Sequence, residues 1–281
     1  ATGDETHSTR GRANTLRLAL TGQLGPNAFS SNEMAESMSL CVGCKACKRE
    51  CPTGVDMARM KLELQARQTA AHGLNLGQRL VAYLPRYAPT IAGIGSLFNA
   101  FQKLPGAAMC IETLTGFTRH RGLPQLHRSK RLNSVTHAGP TGGKPVVVLL
   151  DTFSRWFEPE NGEALIDVLA GAGCRVHIAG ADDKRPLCCG RTFLAAGLID
   201  EARHEARRLL KAVKPFIDQG IPLIGLEPSC LLTLRDEYDV LLPPSETKGL
   251  KNMVFLLEEY LVQQSADLSL NLGPTQYKQA A

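Results

Sequence analysis

Residues 41–52 read Cys41-Val-Gly-Cys44-Lys-Ala-Cys47-Lys-Arg-Glu-Cys51-Pro52, and the first part of the chain must fold around this stretch. The spacing is C-x2-C-x2-C-x3-C-P, the ligand run of bacterial ferredoxins. Two-residue gaps let successive sulfur atoms point inward together, and Gly43 relieves crowding where the backbone passes close to them. The run therefore predicts a [4Fe–4S] cluster held by Cys41, Cys44, Cys47 and Cys51.

Two other uses of these cysteines fit the spacing less well. Structural zinc sites commonly divide their ligands between two separated pairs, whereas here all four lie in one run. Disulfides belong to oxidising compartments. The chain has nine cysteines and does not begin with a signal peptide, which favours a reducing cytoplasm where thiols serve metals or redox chemistry.

Length and composition indicate a globular protein. The chain has 281 residues, 43% of them hydrophobic, enough for one large domain or two ordinary ones. Its net charge of +5 is too small to imply a nucleic acid partner. The longest apolar stretch, residues 90–101, is too short to span a bilayer. We expect it in the core, with a position on a membrane surface as the alternative.

The first 85 residues predict helices around the cysteine run. We expect one helix over 12–20 capped by Thr9, and a second behind a capping box of Ser30 and Glu33. A third helix is expected over 55–71, with Gly73 as its stop.

Residues 86–144 follow Pro85, are rich in proline and glycine, and predict a connector with at most short helices. Residues 113–150 contain basic residues and no acid, which indicates a solvated linker or, alternatively, a docking surface for an acidic partner. The basic residues are Arg119, Arg121, Arg128, Lys130, Arg131 and Lys144.

From residue 145 onward, apolar strands alternate with helices, which predicts an α/β layer with a short parallel sheet. The expected strands cover 145–151, 174–180 and 221–227, and the expected helices cover 163–172, 192–217 in two pieces, 231–238 and 250–262. The predicted fold class is α+β overall, a helical ferredoxin-like domain followed by this α/β domain. The predicted domains are 1–85, the connector 86–144, the α/β domain 145–263 and a mobile tail 264–281.

A second group of cysteines follows two of these strands. Cys188-Cys189-Gly190 precedes one helix, and Cys230 opens another. Sites in open α/β sheets form at the carboxyl ends of strands, so these cysteines should meet there, with Asp151 on the same edge. Helix N-termini should lower their pKa values.

Metal or cluster ligation by Cys188, Cys189 and Cys230 is the first interpretation, and thiol–disulfide chemistry by the vicinal pair is the second. The isolated Cys110 and Cys174 are expected to be small buried hydrophobes.

Together the two motifs, C-x2-C-x2-C-x3-C-P and Pro-Leu-Cys188-Cys189-Gly190-Arg-Thr-Phe with Glu227-Pro-Ser-Cys230, resemble those of iron–sulfur proteins with the cysteine-rich CCG domain. That group includes glycolate oxidase iron–sulfur subunits, a subunit of anaerobic glycerol-3-phosphate dehydrogenase, lactate-utilisation proteins and heterodisulfide reductase B-like proteins. Residues 1–14 and 231–238 look most like the C-terminal iron–sulfur module of FAD-linked D-lactate or D-2-hydroxyglutarate dehydrogenase fusion proteins.

The resemblance implies an electron-transfer module of a larger oxidoreductase. FAD in another part of the parent protein would oxidise a D-2-hydroxy acid such as lactate, glycolate or 2-hydroxyglutarate, and clusters here would pass the electrons to a quinone, a cytochrome or another acceptor. The implied partners are a flavin dehydrogenase domain or subunit and that acceptor. No catalytic residue, transmembrane segment or nucleic acid partner is expected in this chain. Its expected location is the cytoplasm, or the inner face of the membrane as a peripheral protein.

Members of the group carry a further cysteine run before this region and usually a second CCG copy. We therefore expect the chain to be an internal piece of a longer protein with one incomplete copy. Cys51 then belongs either to the same cluster as Cys41, Cys44 and Cys47 or to a second one, since the fourth cysteine of two-cluster runs serves the other cluster. One or two [4Fe–4S] clusters are thus expected, with a further iron–sulfur site at the CCG cysteines. The alternatives are a thiol/disulfide reductase-type module and a metal-stabilised interaction subunit.

Overall fold

A computed structural model describes residues 3–181, 183 and 185–264, so the predicted tail beyond residue 264 lies outside the described residues. Within the described ranges, the helices are α1 (Thr9–Leu20), α2 (Asn32–Ser39), α3 (Ala46–Glu50), α4 (Met57–His72), α5 (Leu76–Ile91), α6 (Gly95–Phe101), α7 (Ala107–Thr115), α8 (Lys130–Ser134), α9 (Thr152–Trp156), α10 (Pro159–Gly171), α11 (Arg191–Ala195), α12 (Ile199–Ile217), α13 (Pro228–Asp236), α14 (Tyr238–Leu241), α15 (Pro244–Thr247) and α16 (Leu257–Gln263). The strands are β1 (His137–Ala138), β2 (Lys144–Val148), β3 (Cys174–Ile178), β4 (Leu223–Gly225) and β5 (Val254–Leu256).

The predicted α+β class is confirmed, and the chain divides into two units. The first is built from residues up to 83 together with 192–201, and the second from 84–191 and from 202 onward. The return of residues 192–201 to the first unit is not visible in the sequence pattern. The assignment of the units as ferredoxin-like and CCG domains stays a prediction.

The first unit is helical, and side chains at its helix starts fix where each helix begins. Ser8 accepts a hydrogen bond from Gly11 N at 2.9 Å, and Ser31 accepts one from Met34 N at 3.2 Å. Each cap satisfies an N–H group that the first turn leaves without a partner. The caps predicted at Thr9 and Ser30 were therefore wrong by one residue.

The core of this unit is small and rich in methionine. Met34, Met38, Met57 and Leu64 are buried in it, and Cys41 and Cys47 pack against it. Methionine fills irregular gaps between short helices because its side chain is unbranched and flexible. The helix predicted over 55–71 is confirmed as α4, although Met60 faces outward.

A five-stranded sheet organises the second unit, with strand order β1-β3-β2-β4-β5. The pairs β3–β2, β2–β4 and β4–β5 are parallel, whereas β1 pairs antiparallel with β3, so the sheet is mixed rather than purely parallel. Val146, Val147 and Val148 of β2 are fully buried. Such burial stabilises the fold by about 1.5–3 kcal/mol per side chain.

Two short strands were not expected from the sequence. Residues 254–256 were predicted to be helical but form β5, which pairs with Leu223–Gly225, and only 257–263 continue as α16. The pair His137–Ala138 forms β1 against Val176 and His177. Both strands lie at sheet edges, where pairing with a neighbouring strand outweighs the local preference of two or three residues.

Helix α5 runs through Pro85 and Pro89, where a break was predicted. A proline inside a helix removes one hydrogen bond and costs about 3 kcal/mol, so burial must offset it. Ala82 and Ala88, on either side of Pro85, are completely buried. The connector predicted over 86–144 thus begins inside a helix rather than after one.

A buried carboxylate holds together several arginines of the second unit. Glu205 on α12 has no solvent exposure and accepts hydrogen bonds from Arg185 at 2.8 Å and from Arg208 at 3.0 Å. Arg86 on α5 lies 3.2 Å from the same carboxylate. Burial raises the pKa of Glu205, but the hydrogen bonds and charges of Arg185 and Arg208 outweigh burial and lower it.

Removing this charge should destabilise the fold. Glu205→Gln leaves the arginines facing a neutral side chain, so we expect a loss of about 3 kcal/mol in the free energy of unfolding at neutral pH. Because the folded-state pKa is lowered, the carboxylate stabilises the fold above its unfolded pKa of about 4.3. The difference between wild type and variant should therefore shrink as the pH falls below about 4.3 and vanish once the pH is below the lowered folded-state pKa. Urea unfolding followed by circular dichroism measures both effects.

The matched control is Glu246→Gln, which breaks the exposed pair of Glu246 with Arg207 at 3.0 Å. An exposed pair contributes less than about 1 kcal/mol. Equal losses in the two variants would contradict the role assigned to Glu205.

Candidate metal centres

The first cysteine run lies between α2 and α4, with α3 inside it. Gly43 and Lys45 both adopt the left-handed backbone conformation, with φ of 70° and 60°. Lys45 is the only non-glycine residue with positive φ in the described part of the chain. Left-handed backbone is unfavourable for lysine, so the loop turns sharply at this point. A crowded backbone was expected here from the glycine at position 43.

Cys51 has hydrogen-bonding groups directed at its sulfur. Its Sγ atom lies 3.1 Å from the Thr53 hydroxyl oxygen. The Thr53 hydroxyl, followed by the backbone N–H groups of Val55, Thr53 and Gly54, lowers the pKa of the Cys51 thiol. Such donors stabilise a thiolate, the form in which cysteine ligates metals.

The other three cysteines of the run differ in exposure. Cys41 and Cys47 are half-buried against the methionine-rich core, and Cys44 is exposed. Lys61 donates a hydrogen bond to the Cys41 carbonyl and ties α4 to the loop. Lys48, which directly follows Cys47, forms an ion pair with Asp56 at 3.4 Å.

The donors of the cysteine run have the chemistry that an iron–sulfur cluster requires. In the described residues, no three or more His, Cys, Asp or Glu side chains converge as they would around one metal ion. A [4Fe–4S] cluster is larger than an ion and holds its cysteine sulfurs further apart. Soft sulfur donors on a tight loop, with N–H groups aimed at one of them, fit such a cluster.

The second cysteine group is buried at the carboxyl edge of the sheet. Cys188 and Cys189 directly precede α11, and Cys230 lies in the first turn of α13, just after β4. The Sγ atoms of Cys189 and Cys230 are 3.1 Å apart, which confirms the predicted meeting of these two motifs. All three thiols are at most 6% exposed.

Gly190 is required by the geometry of this group. Its backbone has φ of 84°, and a Cβ atom there would lie 2.8 Å from the Ala202 carbonyl oxygen. Its N–H group donates to the Cys188 sulfur at 3.3 Å. The CCG sequence therefore combines a vicinal sulfur pair with the one residue that permits the following turn.

The expected lowering of these pKa values was wrong. The hydrogen bond that Cys188 donates to Cys189, together with burial, raises the pKa of Cys188 well above its usual value. Contact with Cys188 lowers the pKa of Cys189, but contact with Cys230 and complete burial outweigh it and raise the pKa strongly. Contact with Cys189 lowers the pKa of Cys230, but burial and the charge of Asp151 outweigh it. Crowding of sulfur atoms out of water therefore dominates over the helix N-termini.

Asp151 lies on the same edge as expected. It follows β2 and caps α9, accepting hydrogen bonds from Phe153 N at 2.8 Å and Ser154 N at 3.1 Å. Burial raises its pKa, although its hydrogen bonds with Ser154 and Phe153 oppose this. Both oxygens of this carboxylate accept hydrogen bonds, since the Ser154 hydroxyl donates to the second oxygen at 2.6 Å.

Tyr238 belongs to this site and was missed in the sequence. It is completely buried, and its hydroxyl donates to the Cys189 carbonyl at 2.9 Å. Burial, followed by the neighbouring cysteines, raises the pKa of Tyr238 well above its usual value. The only signal was its position at the end of a predicted helix, which does not indicate what its hydroxyl contacts.

The isolated cysteines differ from each other. Cys174 is completely buried, as predicted, but Cys110 is exposed on α7, so the prediction for Cys110 was wrong. His177 lies half-buried on β3, with its ring 4.8 Å from that of His137 and 5.7 Å from that of Phe216.

Comparison with curated proteins finds relatives that are named as dehydrogenases or as an iron-sulfur subunit. The chain is similar to a D-2-hydroxyglutarate dehydrogenase of Pantoea ananatis, with 24% identity over 88% of this chain and 25% of that protein. It is 34% identical to a probable glycolate oxidase iron-sulfur subunit of Bacillus subtilis, over 85% of this chain and 54% of that protein. Over 39% of its length it is also 31% identical to a subunit of the anaerobic glycerol-3-phosphate dehydrogenase of Escherichia coli, covering 26% of that protein.

These relatives are of kinds that the two motifs were expected to resemble, whereas the assignment to CCG-domain proteins stays a prediction. The chain spans about a quarter of the length of the D-2-hydroxyglutarate dehydrogenases it matches. No protein-family model and no solved structure matches it. Among the described residues, no helix has the length and apolar character needed to cross a bilayer.

The contact between Cys189 and Cys230 predicts a specific cross-link in the metal-free protein. Diamide should take two hydrogen atoms from the two thiols and leave an Sγ–Sγ bond, because these sulfurs are already 3.1 Å apart. Digestion with trypsin should then yield residues 185–191 joined to residues 212–235, which mass spectrometry detects.

Two variants assign the cross-link to one cysteine of the vicinal pair. Cys188→Ala should still form it, whereas Cys189→Ala should not. A disulfide between Cys188 and Cys189 in place of the cross-link would contradict the geometry of the group.

Proposed function

We propose that the chain is an iron–sulfur electron-transfer module of an oxidoreductase. The observation that carries the proposal is the presence of two sulfur-rich sites, one on the loop of the first unit and one at the sheet edge of the second. Relatives named as dehydrogenases and as iron–sulfur subunits support it. An iron–sulfur cluster, when bound, accepts and donates one electron at a time.

The residues proposed to hold the first cluster are those of the cysteine run. The left-handed Gly43 and Lys45 direct the loop, and the donors around Cys51 favour a thiolate ligand. Hydrogen bonds to a ligand sulfur tune the reduction potential of a cluster. Cys51 would serve either the same cluster as the other three cysteines of the run or a second one.

We propose a second metal or iron–sulfur site at Cys188, Cys189 and Cys230. Three soft donors lie out of water, and two of them are in contact. Buried thiols in contact gain little from each other, whereas a bound cluster, which is larger than one ion, would favour the ionised form of all three. Tyr238 would hold the Cys189 backbone in place through its hydroxyl.

The proposed donor and substrate follow from the relatives. D-2-hydroxyglutarate dehydrogenases and a probable glycolate oxidase subunit both act on 2-hydroxy acids by name. We propose that a flavin domain or subunit oxidises a D-2-hydroxy acid and that this chain passes the electrons onward to a quinone, cytochrome or other acceptor. We propose the cytoplasm as the compartment, because cysteine ligands must be reduced and the cytoplasm keeps thiols reduced.

The 3.1 Å contact between Cys189 and Cys230 also favours a second candidate function. A buried dithiol can reduce a disulfide by thiol–disulfide exchange, with both electrons leaving the two sulfurs. The raised pKa values of these thiols argue against it, since the thiolate is the attacking form. Electron transfer through clusters is therefore the better supported function.

Anaerobic reconstitution with iron and sulfide tests the proposal. We expect the wild type to bind iron and acid-labile sulfide and to give an EPR signal on reduction with dithionite. Cys44→Ser should remove the iron of the first site, and Cys230→Ser should remove that of the second. Cys110→Ser, which changes an exposed cysteine outside both sites, is the matched control and should bind as much iron as the wild type.

Each alternative gives a different result in this experiment. Full iron retention in Cys230→Ser, together with disulfide reductase activity that Cys189→Ala abolishes, would favour the dithiol function. Clusters that bind but cannot be reduced would leave a metal-stabilised interaction subunit and refute electron transfer.

A further inference from the structure

Two histidine side chains face each other across the edge of the sheet in the second unit. His137 on β1 and His177 on β3 are register partners in an antiparallel pair. The neighbouring Ile178 N–H donates to the Thr136 carbonyl at 3.0 Å, so the two histidines themselves occupy a position without hydrogen bonds between their backbones. Side chains at such positions lie closest to each other. The ring centres of His137 and His177 are 4.8 Å apart, with the ring planes at 80°.

This spacing suits two ligands of one metal ion. Imidazole nitrogens bind Zn²⁺ at about 2.0–2.1 Å, which holds the centres of two rings on one tetrahedral ion about 5 Å apart. The observed 4.8 Å therefore requires no movement of either strand. His137 is exposed, so its ring is free to turn about χ2 until Nε2 faces the ion.

Neighbouring groups prepare both rings for ligation. The Thr136 hydroxyl oxygen lies 3.0 Å from Nδ1 of His137. A hydroxyl that accepts a hydrogen bond from Nδ1–H keeps the lone pair of Nε2 for a metal, as the outer hydrogen bonds of ligand histidines commonly do. Phe216 on α12 packs against His177, with 5.7 Å between the ring centres, which limits rotation of the His177 ring.

We propose that His137 and His177 together bind one divalent transition metal ion of the class of Zn²⁺ and Ni²⁺ and thereby fasten β1 to the sheet. Imidazole suits these ions, whereas Mg²⁺ prefers oxygen ligands. Two protein ligands are fewer than the four of a structural zinc site, so water would fill the remaining positions and the ion would exchange. The site uses none of the nine cysteines and is independent of the electron-transfer function proposed above.

The short edge strand gives such an ion a role. β1 consists of His137 and Ala138 and pairs with one neighbour, β3. So short an edge strand opens more readily than the centre of the sheet. An ion that needs both histidines binds only while β1 and β3 are paired, so its binding free energy stabilises the paired state.

Arg175 limits the affinity of this site. It precedes His177 by two residues on β3, so both side chains leave the same face of the sheet. Its guanidinium donates to the Thr141 carbonyl at 3.3 Å, and its charge acts on His177. Because this positive charge repels a cation, Arg175→Gln should tighten metal binding several-fold. Weaker binding in this variant would contradict the placement of the ion.

Nuclear magnetic resonance of the histidine rings tests the proposal, because cysteines also bind these metals and this method observes the histidines alone. In the full 281-residue chain labelled at histidine, paramagnetic Ni²⁺ should broaden the signals of His137 and His177 together and before those of the other histidines. Excess Zn²⁺ should restore both signals by displacing Ni²⁺, whereas Mg²⁺ should not. His137→Ala should raise the Ni²⁺ concentration that broadens His177 at least about tenfold, since one of the two ligands is lost.

His204→Ala is the matched control, since His204 is an exposed histidine on α12 in the same unit. It should leave the broadening of His137 and His177 unchanged, and circular dichroism should show all variants folded. Zn²⁺ should also slow deuterium exchange at the Ile178 amide in the wild type but not in His137→Ala. Broadening of His177 that survives His137→Ala, or that is no stronger than at His204, would overturn the site. Metal binding without slower exchange at Ile178 would refute the fastening of β1.

Discussion

The parallel pairing of β2 with β4 is the constraint on which the sulfur site of the second unit depends. Val147 pairs with Leu223 and Val148 with Ile224, in the middle of the sheet. Both strands therefore end at the same edge, which delivers Asp151 and Cys230 to one place although they are far apart in the chain. A shift of one residue in this register would exchange the two faces of the strand and separate them. Val146, Val147 and Val148 are all fully buried, so both faces of β2 are covered, and a shift would force each valine into packing built for another side chain.

Burial and ligation are in tension at this site. A protein gains stability by placing apolar groups out of water, but here it places three thiols, a carboxylate and a tyrosine hydroxyl there. The tyrosine and the carboxylate have hydrogen-bond partners, whereas two of the thiols mainly have each other. The metal or iron–sulfur site proposed at these cysteines would give the buried sulfurs a partner. The cysteine run of the first unit differs, since its cysteines are half-buried or exposed and N–H groups support the sulfur of Cys51.

The sequence predicted those parts of the structure that depend on local chemistry. The spacing of the cysteine run, the apolar strands and the meeting of Cys189 with Cys230 could be read from residue types and the rules for parallel sheets. Prediction from the sequence failed where the local structure is determined by contacts with residues far away in the chain. Residues 254–256 have helical neighbours, yet pairing with Leu223–Gly225 makes them a strand. Pro85 indicated a break, yet α5 passes through it, and the contacts of Tyr238 left no trace in the pattern. Helix N-termini suggested acidic thiols, but the degree of burial, which reverses this, is a property of the whole fold.

The return of residues 192–201 to the first unit has a consequence for how the protein is made. Phe193 stacks edge-on against Tyr83 at 5.2 Å, and the Ala196 carbonyl accepts a hydrogen bond from Thr69 at 2.8 Å. The helical unit therefore lacks part of its own packing until the ribosome has synthesised residue 201. A gene fragment that stops at residue 91, where α5 ends, would encode the whole cysteine run but leave Thr69 and Tyr83 without these contacts. During synthesis, the cysteine run therefore leaves the ribosome well before residues 192–201, which complete the packing of the same unit.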